Sequence, residues 1–258
     1  MGILNVTPDS FFESSRVSLE IELLHKAEKM LTDGATLLDI GGQSTRPGAE
    51  LISPELELQR VIPAIEKLSR AFPEAIISVD TFYGKVAKAA IEAGASIIND
   101  ISAGDDDPTM FETIVELNVP YIIMHKKGLP THMQQNPNYE NVVQEVLNYF
   151  THKVRALQQA GVKDILIDPG FGFGKTLEHN YSLLAHLDVL KIFELPVLVG
   201  VSRKSMVQKL LKVNTQNALN GTTALHMVAL QKGAAILRVH DVKEAVECIQ
   251  IFEALNQE

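Results

Sequence analysis

Eight short apolar runs, each nearly continuous in Ile, Leu and Val, recur along the chain with roughly 20 to 45 residues between their starts. They are MGILNV (1–6), LLDIGG (37–42), IISVDT (76–81), IINDIS (97–102), YIIMH (121–125), ILIDPG (165–170), VLVGVS (197–202) and ILRVH (236–240). Runs this short and without polar alternation predict parallel strands buried on both faces. Between them, apolar residues return at helical spacing. Residues 19–32 place Leu19, Leu23, Leu24, Ala27, Met30 and Leu31 on one stripe, with Gly34 as a stop. Residues 55–70, 84–92, 109–118 and 142–160 repeat the arrangement, with Gly94 and Gly161 as later stops. The stretch between the last two strands holds two helices, 204–211 and 220–231.

Strand and helix alternating eight times predict an α/β fold, a (β/α)8 TIM barrel. The 258 residues match the ~250 such a barrel needs, so residues 1–258 are expected to form a single domain. A doubly wound open sheet is the structural rival, but no GxGxxG turn follows any strand.

Composition narrows the function classes. A net charge of −9 argues against a nucleic-acid or anionic-membrane binder. No apolar stretch approaches the ~18–20 residues that span a bilayer, and no basic segment leads into an apolar one at the start. A cytoplasmic protein is expected. Cys248 is the only cysteine, and its apolar helical neighbours Val246, Ile249 and Ile251 predict a packed thiol.

In barrels of this type the active site lies at the carboxyl ends of the strands. Those ends read Asn5, Asp39, Asp80, Asn99, His125, Asp168, Ser202 with Lys204, and Arg238 with His240. Buried charges are retained where they are paired or bind something. Two zones separate. Asp80, Asn99 and Asp168 suit a planar heterocycle with N–H donors, because ionised carboxylates only accept hydrogen bonds. Asn5, Arg238 and His240, on neighbouring strands of a closed barrel, suit a phosphate or diphosphate. The loops 7–16 and GGQSTRPG (41–48) have the composition of lids, and DPGFGFGK (168–175) lacks the spacing of a P-loop.

NVTPDSF, DIGGQSTRPG, SVDT, IINDIS, IDPGFGFGK, SRK and RVHDV, in this order and spacing, resemble the dihydropteroate synthase family over essentially the whole chain. The resemblance implies a (β/α)8 enzyme of folate synthesis, a Mg2+-dependent homodimer and sulfonamide target. Such an enzyme joins 4-aminobenzoate to (7,8-dihydropterin-6-yl)methyl diphosphate and releases diphosphate. It implies a pterin pocket of Asp80, Asn99, Met124, Asp168, Lys204 and Arg238. Asn5, Thr45, Arg238 and His240 would hold the diphosphate. Phe11, Thr45, Arg46, Pro47, Phe173, Ser202 and Lys204 would enclose the aminobenzoate. Asp80, Lys204, Arg238 and His240 would carry the chemistry, with Asn5 and Glu13 as Mg2+ ligands. The reaction implied is dissociative: diphosphate leaves, and the aniline nitrogen captures the pterin-stabilised cation.

Three departures stand out. Phe12-Glu13-Ser14-Ser15 replaces the family's Ser-Asp-Gly-Gly. His125-Lys126-Lys127-Gly128 replaces His-Met-x-Gly, with Lys126 and Lys127 expected as solvated charges. The first strand begins at Met1, where members usually carry further residues, a difference expected to touch stability more than chemistry. A pterin-binding methyltransferase has no need of Lys204 or of Arg238 with His240, because its substrate carries no diphosphate. A non-catalytic pterin-binding homologue would have lost a lid or the anion-binding residues, whereas Thr45, Arg46, Asn5 and His240 are all retained.

Overall fold

A computed structural model describes residues 1–7, 16–43, 50–128, 133 and 136–256. Eight parallel strands form one curled sheet in chain order, with helices packed outside it. The strands are β1 (Gly2–Asn5), β2 (Leu37–Gly41), β3 (Ile76–Asp80), β4 (Ile97–Asp100), β5 (Tyr121–Met124), β6 (Ile165–Asp168), β7 (Val197–Val199) and β8 (Ala234–Leu237). All eight overlap the apolar runs. β8 begins two residues before its run, and β7 and β8 each end three residues before theirs do, so Ser202, Lys204, Arg238 and His240 lie on the segments that follow.

The helices are α1 (Arg16–Thr32), α2 (Pro54–Ala71), α3 (Gly84–Glu92), α4 (Met110–Leu117), α5 (Val142–Gln159), α6 (Leu177–Ala185), α7 (Ser205–Leu211), α8 (Leu219–Gln231) and α9 (Val242–Leu255). Their starts follow local chemistry. Ser53 caps α2 by accepting the Leu56 N–H, and Pro54 opens the first turn, where no N–H is needed. Asn141 caps α5 through the N–H groups of Val143 and Gln144. Helix α6 was not predicted: the glycine-rich loop before it hides its start. Thr176 and His179 nevertheless form a reciprocal capping box there.

Two apolar layers hold the sheet. Leu38, Ile40, Ile77, Val79, Ile98, Ile123 and Ile167 face the helices in the main core. Inside the curl, Ile97, Ile122 and Leu198 pack with Met1, Leu37, Leu166 and Ile236. Buried polar side chains lie in mid-strand, Asp39 and Ser78, as well as at the carboxyl ends, Asp80 and Asn99. The register then sets which of them meet: Asn5 pairs with Gly41, Gly41 with Asp80, and Asp80 with Asn99. Farther round, Met124 pairs with Asp168.

Beyond β8, Gly2 and Val239 form an isolated parallel bridge. The Ile3 N–H donates to Val239 O at 2.9 Å and the Val239 N–H to Met1 O at 2.9 Å. Among the described residues no helix is long and apolar enough to cross a membrane. Cys248 is buried as expected, its thiol against the Thr223 carbonyl.

Candidate active site

Four of these residues, Asp39, Asp80, Asn99 and Arg238, join in one hydrogen-bonded network. Arg238 donates from Nε to Asp39 Oδ2 at 2.6 Å and from Nη2 to Asp80 Oδ2 at 2.7 Å. Asn99 Nδ2 donates to the same Asp39 oxygen at 3.1 Å. Asp39 is 0% exposed, and its Oδ1 is buried without a partner among the described residues. The sequence predicts Asp39 at a strand end and assigns it no role; it stands instead in the middle of β2. An aspartate inside the apolar run LLDIGG was the available signal, since an ionised group there demands a cation.

The electrostatics follow from burial. Burial pushes the Asp80 carboxyl up to about 7, against the opposing pull of Arg238. It also raises Asp168, whose Oδ1 accepts the Gly170 N–H at 2.7 Å, with Lys204 pulling the other way. Burial disfavours the Arg238 charge, but Asp39 and Asp80 outweigh it and hold the guanidinium protonated above its usual range. Burial thus works against the ionised form of both carboxyls, and the neighbouring cations Arg238 and Lys204 work for it.

Lys204 stands beside the Asp168 carboxyl, where the sequence leads one to expect the pterin. Its Nζ donates to Phe171 O at 2.5 Å and stands 4.8 Å from the centre of the Phe173 ring. Burial lowers its ammonium to about 8, opposed by Asp168. Met124 and Phe173 share a buried apolar cluster with Phe82, Ile101 and Met133. Thus Asp80, Asn99, Asp168, Lys204 and Arg238 converge, with Met124 and Phe173 beside them.

On the other side, Ser202 Oγ lies 3.0 Å from His240 Nδ1 and accepts the His240 N–H at 3.2 Å. Burial and Arg238 lower the imidazole to about 4, so it is a neutral group at pH 7. Asn5 is exposed at the edge, and a side-chain carbon on Gly41 would meet its Oδ1 at 3.2 Å. Arg203, within the SRK motif, turns away and forks onto Asp241 at 2.7 and 2.9 Å. Phe11, Glu13, Thr45, Arg46 and Pro47 lie outside the described residues. Among the described residues no group of three His, Cys, Asp or Glu side chains is placed to hold a metal.

One expectation fails. Lys126 is not a solvated charge: its side chain is buried and paired with Asp106. The aspartate-rich turn after β4 supplies a partner that sequence distance concealed. Lys127 does lie near the surface, bonded to Glu145 at 2.9 Å.

Behind Asp80, the fully buried Glu57 of α2 accepts the Thr81 hydroxyl at 3.1 Å, and its Oε1 has no partner among the described residues. Burial raises this carboxyl to about 8, the Thr81 bond opposing. A group raised on folding gives stability that is complete below its ordinary value of 4.5 and lost as pH rises through about 8. Glu57→Gln, neutral throughout, is expected to flatten the loss of stability over that window. Urea unfolding at a series of pH values checks this, and a slope equal to that of the parent would contradict it.

A strand-end constellation of this kind places the chain among the pterin-binding enzymes, whose family model matches residues 1–240. The dihydropteroate synthase of Escherichia coli K12 is 47% identical over 256 residues, covering 98% of this chain and 90% of that protein. A Yersinia pestis dihydropteroate synthase solved with a sulfonamide drug complex superposes with a TM-score of 0.92 at 46% identity, covering 99% of this chain and 92% of that one. The Xanthomonas albilineans dihydropteroate synthase in complex with 7,8-dihydropteroate gives 0.89 at 38% identity, covering 100% and 93%. This chain belongs to the dihydropteroate synthase family.

Proposed function

We propose that the protein transfers the pterinylmethyl group of (7,8-dihydropterin-6-yl)methyl diphosphate to 4-aminobenzoate, giving 7,8-dihydropteroate and diphosphate in folate synthesis. The observation that carries this reading is the Asp39–Arg238–Asp80 linkage, two residues before the His240 imidazole: its carboxyls would accept from a heterocycle, and Arg238 and His240 would donate to an anion. As a member of this family the protein is also a target for sulfonamides, which would occupy the aminobenzoate subsite.

Asp80, Asn99 and Asp168 would accept the N–H groups of the pterin, with Lys204 and Met124 at its rim and Arg238 beneath it. The C–O bond of the methylene breaks, its electron pair leaving with the diphosphate. Asn5, Thr45, Arg238 and His240 would hold that leaving group, His240 as a hydrogen-bond donor. Asp80, partly charged near neutral pH, would stabilise the positive charge that spreads over the pterin. The aniline lone pair then forms the C–N bond, and the nitrogen loses its proton to solvent. Phe11, Thr45, Arg46, Pro47, Phe173, Ser202 and Lys204 would seat the aminobenzoate and exclude competing water.

The donor set suits Mg2+ only as a partner of the diphosphate. Asn5 offers one neutral oxygen at the exposed edge, and Mg2+ is usually held by few protein groups together with substrate phosphates and water. Asn5 and Glu13 would hold the ion, which supplies charge neutralisation to the diphosphate.

The sheet is read as a closed barrel forming one domain over residues 1–258. The Gly2–Val239 bridge supports closure. A homodimer is supported by the exposed apolar side chains Leu210 and Leu211 of α7, Val228 of α8, and Ile251 and Leu255 of α9. The site addresses small molecules, not nucleic acid or membrane, and a cytoplasmic location fits.

The test couples the pterin diphosphate to radiolabelled 4-aminobenzoate. Labelled dihydropteroate is expected with Mg2+, and strongly reduced yield after chelation. No labelled product under either condition would refute the activity.

A further inference from the structure

The loop after β6 is pressed against the loop after β5. A side-chain carbon on Gly170 would lie 1.9 Å from the His125 carbonyl oxygen, and one on Gly174 would lie 2.1 Å from that of Lys127. Both glycines also take positive φ, +71° and +63°, so the contact tolerates no larger residue. Between the loops lies the ammonium of Lys175, a residue only 2% exposed. It donates to Gly170 O at 2.9 Å, Phe173 O at 3.2 Å and His125 O at 3.3 Å, and stands 2.9 Å from His125 Nδ1. Three protons thus serve four acceptors drawn from both loops. Burial lowers this ammonium to about 7, with Asp168 opposing.

Two of the acceptors, Gly170 O and Phe173 O, bracket Phe171. The Phe171 carbonyl is the group that receives the Lys204 ammonium at 2.5 Å, and the Phe173 ring packs on that ammonium. The loop is tied from outside as well. Tyr139 OH donates to Gly174 O at 2.8 Å, and the Gly172 N–H donates to Asn180 Oδ1 at 2.7 Å.

From this arrangement we infer that Lys175 is a positioning residue for the transfer reaction, fixing residues 170–173 so that Phe171 and Phe173 hold the Lys204 ammonium against the pterin. The inference rests on the functional reading above. Lys175 feels the charge of Asp168 but donates no hydrogen bond to Asp39, Asp80, Asp168 or Arg238 among the described residues, so its positioning action runs through the loop to Lys204. A neutral side chain of similar length removes the anchor, the Phe171 carbonyl moves, and Lys204 loses its place.

The test is a double-mutant cycle on the full chain, read as the Kd for 6-hydroxymethylpterin by calorimetry beside kcat and KM. Lys175→Met is expected to weaken pterin binding and lower kcat, each roughly tenfold or more, because misplacement of ~1 Å is costly at a reacting centre. In a Lys204→Met background the same change should weaken binding less than about twofold, since the shared interaction is already gone. Lys175→Arg, which keeps a cation, should recover part of the loss. Equal losses in both backgrounds would overturn the inference, as a general effect on stability would give them.

If Lys175→Met lacks near-UV circular dichroism of the parent, Tyr139→Phe takes its place in the cycle, loosening the same loop without removing a charge. A loss of a few-fold in the parent and none beside Lys204→Met supports the inference, and equal losses overturn it. A parent protein that neither binds the pterin nor makes product would instead refute the functional reading itself.

Discussion

Replacing Arg238 by alanine is expected to abolish dihydropteroate formation and to destabilise the fold by about 3 kcal/mol, the usual cost of removing one partner from a buried ion pair. The loss of activity follows from position. The same guanidinium bonds Asp39 and Asp80 and is the group proposed to serve both the pterin and the diphosphate, so its removal is expected to disorganise both zones. The loss of stability follows from what remains: two buried carboxyls without the cation that bonded both.

The pH dependence has a definite sign. Burial already raises Asp80 from its ordinary 3.8, and Arg238 is the group that holds it down. Without Arg238 its carboxyl rises further, so native protein binds more protons than unfolded chain over a wider range. Stability is then fullest below the ordinary carboxylate value and lost as pH rises through the raised one. The variant should therefore recover part of its deficit on acidification toward pH 5. Urea unfolding at two pH values, beside the radiolabel assay, checks both parts. Parent-like turnover would remove Arg238 from the site, and a deficit that grows on mild acidification would contradict the charge argument.

Lys204→Met is expected to lower kcat by roughly 10² to 10³, in the range for loss of a preorganised charge at a reacting centre. It should disturb the fold less than Arg238→Ala, because the Lys204 ammonium donates to the Phe171 carbonyl and to no carboxylate among the described residues. The ammonium lies near 8, so the parent should lose kcat/KM on the alkaline side as that proton leaves. The methionine variant should lack this limb. Steady-state rates across the alkaline range decide the matter: a variant within tenfold of the parent, or one that keeps the limb, would contradict the assignment.

How much of this was legible in the sequence differs from element to element. Strands such as ILIDPG were readable because a strand buried on both faces needs an unbroken aliphatic run, whatever its neighbours. Helix α6 was not, because its capping box sits behind three glycines that read as loop. The strand-end residues Asp80, Asn99, Asp168, Lys204 and Arg238 were found by type and position. Their linkage through Asp39 was not, because Arg238 and Asp39 lie 199 residues apart. Lys126 was misread for the same reason: its partner Asp106 lies on another loop, and exposure depends on partners that spacing does not reveal.

The sequence by itself determined the order of eight strands, most of the helices and the polar groups at the strand ends, because each depends on local patterning. Only the tertiary structure decided which charges are buried together, that Asp80 and Lys204 titrate near neutrality, and that Lys175 lies between two loops. Those properties come from desolvation and from contacts between segments far apart in the chain, and neither quantity is carried by a local run of residues.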